Sequence, residues 1–139
     1  MTDQAGDRRQ RPGFGLDLGR LADQVASVAG DRVARAALAA TLLANLVAYA
    51  YVWSAIGSLP ELMPLHYNGA GVVDLIGRPV ELLRLPAIGT LLLVVNGAIA
   101  LGVHRAERPA AQILLWTALA AQLVIGSGAW ILVTKAAGE

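Results

Sequence analysis

The chain has 139 residues, a mean hydropathy of +0.57, 56% hydrophobic residues and 15% charged ones, a balance that excludes an ordinary water-soluble globule of this length. A net charge of +1 gives no electrostatic footing for a nucleic-acid partner, and the lack of cysteine excludes disulfides, thiolate chemistry and cysteine-ligated metal. The expected fold class is an all-α integral membrane protein, with three transmembrane helices preceded by a short amphipathic helix.

Residues 1–15 combine charge, glycine and proline with almost nothing apolar to bury, which predicts a disordered cytoplasmic tail. Over 16–33, Leu18, Leu21, Val25 and Val28 recur at spacings of three and four with polar residues between them, the pattern of an amphipathic helix. Asp17, Asp23 and Asp31 offset its arginines, so it lacks the strongly basic face of a helix drawn to anionic lipid. Two readings stay open: the helix lies flat on the membrane, or it packs on a protein partner or a second copy.

Three runs, 36–59, 85–103 and 109–134, hold no Asp, Glu, Lys, Arg or His. At about 1.5 Å per residue each can cross a hydrocarbon core roughly 30 Å thick, and these are the expected spans of a membrane domain over 36–134. Pro86 and Pro109 suit first helical turns, where a missing N–H costs nothing. The first run is too long and starts too late for a cleaved signal peptide, so it is read as a permanent span. Basic residues favour the cytoplasmic side: Arg20, Arg32, Arg35, Arg105 and Arg108 fall on one face, Arg78, Arg84 and Lys135 on the other. That balance predicts a cytoplasmic N-terminus, an extracytoplasmic C-terminus and an external loop over 60–84. Tyr49, Tyr51, Trp53 and Trp130 fall toward the outer ends, where interfacial aromatics collect.

Ionisable residues within spans mark ion paths and proton relays, and these spans have none. They carry amides and hydroxyls instead. Counted from the inner edges of the charge-free runs, Asn45, Asn96 and Thr117 fall in one layer roughly 10–14 Å deep, with Gln122 about a turn farther out. An interhelical hydrogen-bonded cluster of Asn45, Asn96, Thr117 and Gln122 is therefore expected, either as glue between helices or as a polar substrate site. Ala36, Ala40, Ala44 and Ala48 form a small ridge at i, i+4 along the first span, and Ala98 and Gly102 repeat the spacing on the second, which predicts helix contacts there.

The external loop has the most specific chemistry. Pro60 and Pro64 stiffen it, Asn68-Gly69 signals a turn, and Gly71 offers a position free to take positive φ. Its many apolar residues predict that it folds back on the membrane surface or the helix ends. His66, Glu61, Asp74 and Glu81 are too few well-placed ligands for a zinc site, the "GAG" at 69–71 lacks the third glycine of a dinucleotide fingerprint, and a His-Asp pair without a placed nucleophile is no hydrolase signature. No catalytic residue, metal or cofactor is expected.

Pro64, His66, Tyr67, Asn68, Gly71 and Asp74, within "LPELMPLHYNGAGVVDLIGRP", resemble the hallmark of the bacterial membrane domain of unknown function 1648: a proline, then His, an aromatic, Asn and a Gly–Asp pair just after a first transmembrane helix. The same domain occurs in the SdpI family of toxin-immunity membrane proteins. The resemblance implies a small multi-pass protein of a bacterial cytoplasmic membrane, not an enzyme. It would act as a binding or accessory module through its external His-Tyr-Asn loop, with a protein partner or a second copy. An SdpI-like immunity or signalling role is the first alternative and a small transport component the second.

Overall fold

The computed structural model describes residues 18–138. The tail expected over 1–15 and the start of the helix expected from residue 16 lie outside the described residues. Helix α1 spans Leu18–Gly30 and α2 spans Arg32–Ala55, with Asp31 alone between them. Asp31 is extended, and its Oδ1 accepts from the N–H of Val33 at 2.9 Å and of Ala34 at 3.2 Å, which satisfies two otherwise orphaned donors at the start of α2. The first of the long apolar helices therefore begins at Arg32, ahead of its charge-free run, because arginines are tolerated at a helix end. Helices α3 (Arg84–Val103) and α4 (Arg108–Ala137) complete the set, and α2, α3 and α4 are each long and apolar enough to cross a membrane.

The chain is mostly helical, yet the all-α expectation needs correction. The loop expected over 60–84 holds a two-stranded antiparallel hairpin, β1 (Met63–Tyr67) with β2 (Val73–Gly77), framed by 3-10 turns at Ile56–Ser58 and Pro79–Leu83. Its pairs are Met63 with Gly77, Pro64 with Ile76, His66 with Leu75 and Tyr67 with Val73, so Leu65 and Asp74 are skipped. Such irregularities break the period-two alternation by which strands are recognised in sequence.

Helix α2 runs from the α1 end to the hairpin end, α3 returns, and α4 runs out again. Two apolar clusters hold the bundle. Val28 of α1 joins Ala34, Ala37, Ala100, Ala111 and Leu115 at the α1 end, while Val52, Met63, Leu82, Ala129, Val133 and Ala136 pack at the hairpin end. Alanine dominates the cluster at the α1 end, where a small side chain lets helix axes approach closely.

The buried row on α2 is Ala34, Ala37, Thr41, Asn45, Ala48 and Val52, not the ridge expected from Ala36 to Ala48. Strict i+4 spacing advances about 40° beyond a full turn at each step, so such a ridge winds away from any straight interface. Ala36, Ala98 and Gly102 are accordingly exposed.

Within the long helices, Gly89 is the glycine that close approach requires. A Cβ on Gly89 of α3 would collide with the Gln122 amide oxygen and lie 2.8 Å from Asn45 Nδ2, whereas one on Gly97 would meet nothing within 4 Å. Gly89→Ala should lower stability by about 1–3 kcal/mol through overpacking, and Gly97→Ala should be neutral or stabilising by up to about 1 kcal/mol. Thermal unfolding in detergent checks the pair, and equal midpoints for the two variants would refute the close approach.

Candidate functional site

The hairpin carries all six residues singled out in the loop. Its turn is built on Asn68, whose Oδ1 accepts from the N–H of Ala70 at 2.9 Å and of Val72 at 3.0 Å, while its own N–H donates to the Val72 carbonyl at 2.9 Å. The N–H of Gly71 donates back to the Asn68 carbonyl, and Gly71 takes a φ of +76°, a conformation that glycine adopts without strain. Skipping Asp74 in the strand register leaves its carboxylate free to meet His66, with Nδ1 to Oδ1 at 2.6 Å. Both side chains are largely exposed, so this pair orients the imidazole more than it stabilises the fold.

The hairpin is also seated. Met63 is buried, Lys135 near the end of α4 stands 4.3 Å above the centre of the Tyr67 ring, and Gly77 is bare because the Leu65 and Glu81 side chains fill the place of its Cβ. Glu81 accepts from the Arg78 N–H at 3.2 Å and pairs with Arg84 at 2.9 Å, which ties the return of the hairpin to the start of α3. Pro64 sits half-buried on β1, where its missing N–H faces no ladder demand at a sheet edge. Val72, Leu75 and Ile76 remain exposed on the outside.

The interhelical cluster forms with different members from those expected. Asn45 Nδ2 donates to Gln122 Oε1 at 3.1 Å and to the Pro86 carbonyl at 2.9 Å; Gln122 Nε2 donates to the Gly89 carbonyl at 2.7 Å. The third member is Thr90, whose Oγ1 donates to Asn45 Oδ1 at 3.0 Å. Asn96 and Thr117 take no part, which corrects the expected set. Asn96 bonds back to the Leu92 carbonyl on its own helix at 2.8 Å, and Thr117 is exposed. Depth alone selected those two, but a helical side chain must also point at the partner, and six residues from Thr90 to Asn96 turn it about 240° away. A groove of about 460 Å³ between α2 and α4 reaches Gln122 past Ala48 and Gly126, but that amide is committed to Asn45 and to the Gly89 carbonyl.

A third polar group, at the α1 end, was not foreseen. His104 in the α3–α4 link is fully buried, with Nε2 3.1 Å from Asp31 Oδ2 and Nδ1 2.9 Å from Ser27 Oγ. Gln112 Nε2 donates to the same Asp31 oxygen at 2.9 Å. A Ser-His-Asp chain is the wiring of a hydrolase. Here it is turned inward, and it joins α1, the start of α2, the α3–α4 link and α4. An aspartate ahead of a helical run is a signal that could have marked Asp31 as an N-cap; its pairing with a histidine 73 positions away is a product of the fold. Among the described residues no buried side-chain nitrogen or oxygen lacks a partner, and no three His, Asp or Glu converge as for a metal.

The hydrogen bond from Gln112 above all, then those from His104 and from the Ala34 and Val33 N–H groups, hold the Asp31 carboxyl far below the usual carboxylate range. A lowered pKa contributes stability that is complete above the unfolded value near 3.9 and is lost as pH falls through the folded one. Asp31→Asn keeps an N-cap while removing the charge, so the gap in unfolding temperature between wild type and variant should shrink below about pH 4. A gap that widens in acid would contradict this. Asn45→Leu and Gln122→Leu should each cost about 1–3 kcal/mol by stranding a buried amide, and the double variant should cost less than their sum. Additivity in a thermal-melt cycle would mean that the two side chains do not interact. No family model, curated protein or solved structure matches the chain.

Proposed function

We propose that the chain is a three-span protein of a bacterial cytoplasmic membrane, with α1 on the cytoplasmic side, and that the hairpin outside is a non-enzymatic binding module for a protein partner. The membrane reading is supported by what the helices turn outward. Leu43, Leu46, Val94, Leu123 and Val124 are exposed while alanines and amides fill the interior, an arrangement that suits lipid. The orientation is supported by Arg32, Arg35, Arg105 and Arg108 at the α1 end.

The observation that carries the binding reading is that the hairpin is both fixed and uncovered. Met63, Gly77 and Tyr67 anchor it, yet His66, Asp74, Val72, Leu75 and Ile76 stand exposed upon it. A surface held in shape before contact loses little entropy on binding. Apolar residues beside an imidazole held by a carboxylate would suit a partner that is itself partly apolar, such as a membrane-active peptide. Pro64, His66, Tyr67, Asn68, Gly71 and Asp74 all lie in this hairpin, and they carry the specific part of the resemblance to the domain of unknown function 1648. An SdpI-like immunity role is the second reading, favoured by the same exposed face.

A photo-crosslinking residue at Leu75 in native membranes should yield a discrete protein adduct that weakens several-fold with His66→Ala and Asp74→Ala. The same probe at the outward-facing Val94 should yield lipid adducts only. Identical adducts from the two positions would remove the case for the hairpin.

A further inference from the structure

Where α1 folds back on the ends of the spans it encloses a cavity of about 270 Å³. Buried Val28, Ala100 and Leu115 form its inner wall and half-buried Leu38 and Leu101 its sides; Val25 and Arg35, both exposed, stand at its rim. Gly97 lines it too, and a Cβ there would meet open space. The volume lies just under the roughly 300 Å³ at which pockets for drug-sized ligands begin, and its apolar lining suits a hydrocarbon chain.

The rim carries the chemistry of the occupant. Arg35 Nη1 donates to the Ala29 carbonyl at 2.8 Å, which pins the guanidinium across the end of α1. Among the described residues no carboxylate pairs with it. Asp23 is taken up by Arg105 at 3.6 Å, and Asp31 by His104 and Gln112. A cation with no carboxylate partner among the described residues, and with several donors left, therefore stands beside an apolar cavity, close to where a membrane-spanning α2 would leave the hydrocarbon.

We infer that this cavity takes one acyl chain of an anionic phospholipid, with the lipid phosphate on Arg35. The charge selects an anion, and the apolar wall selects its tail. Lining the cavity with Val25, Val28 and Ala29 makes α1 a clasp over a bound lipid, so its exposed Leu18, Leu21 and Val25 would rest at the same interface. The inference rests on the membrane-spanning reading and is independent of what the hairpin binds.

Native mass spectrometry of the full chain in detergent, with phosphatidylglycerol or phosphatidylcholine of matched chains added, tests it. Wild type should hold phosphatidylglycerol about five-fold more tightly, the worth of one basic residue against an anionic headgroup. Arg35→Gln should bring the two lipids level while Arg35→Lys preserves the preference. Gly97→Val should reduce both lipids by filling the cavity, with Gly97→Ala as the smaller variant should valine impair folding. Arg32→Gln and Arg108→Gln should leave the preference in place. Equal affinity of wild type for the two phospholipids, a preference that survives Arg35→Gln, or one lost equally with Arg32→Gln would overturn the inference. A chain that stays dispersed without detergent would overturn the membrane reading itself, a separate result.

Discussion

When the Asn45 amide reaches Gln122 across the bare backbone of Gly89, it joins α2, α3 and α4 at one level, and the rest of the bundle is positioned from that level. Backbone groups within a helix are already paired, and apolar side chains slide past one another with little preference for register. Two amides and a hydroxyl do not slide, because each has specific partners and no water to replace them. Gly89 is the steric counterpart of that bond. Only a residue without Cβ lets Gln122 lie against the α3 backbone, and Thr90 next to it supplies the hydroxyl that Asn45 accepts.

With the helices held in register, the two ends become different kinds of structure. At the hairpin end the chain uses backbone pairing, an asparagine-centred turn and a cation over an aromatic ring to hold a surface outward. At the α1 end it turns its polar groups inward, around a histidine with both ring nitrogens occupied. Asp31 serves twice there, since Oδ1 caps α2 while Oδ2 receives His104 and Gln112. One carboxylate thus sets both where a helix starts and how the four helical segments meet.

The side-chain arrangement follows the same economy of space. Alanines stand where helices touch, and leucine, valine and tryptophan stand outside, with Trp53 and Trp130 exposed near the hairpin end. Trp130 stacks on Tyr51 at 5.6 Å, so an outward aromatic still braces α2 against α4. The groove beside that stack and the cavity under α1 are what remains where small residues outnumber the side chains able to fill the space between helices.

Much of this was legible in the residues. Long charge-free runs specified three helices able to cross a membrane, since helix length follows directly from residue count, and Asn68 and Gly71 specified a turn because few other residues adopt its conformations. Depth along each helix was legible too, which is why Asn45 and Gln122 were foreseen together. Direction was not: whether Thr90 or Asn96 meets Asn45 depends on how far α3 is rotated about its axis, and that angle is set by packing. The hairpin strands were hidden because two skipped residues break the alternation that marks strands. The pairing of Asp31 with His104 belongs to the fold alone, for residues so distant in the chain meet only once α3 has returned to the end from which α2 departed.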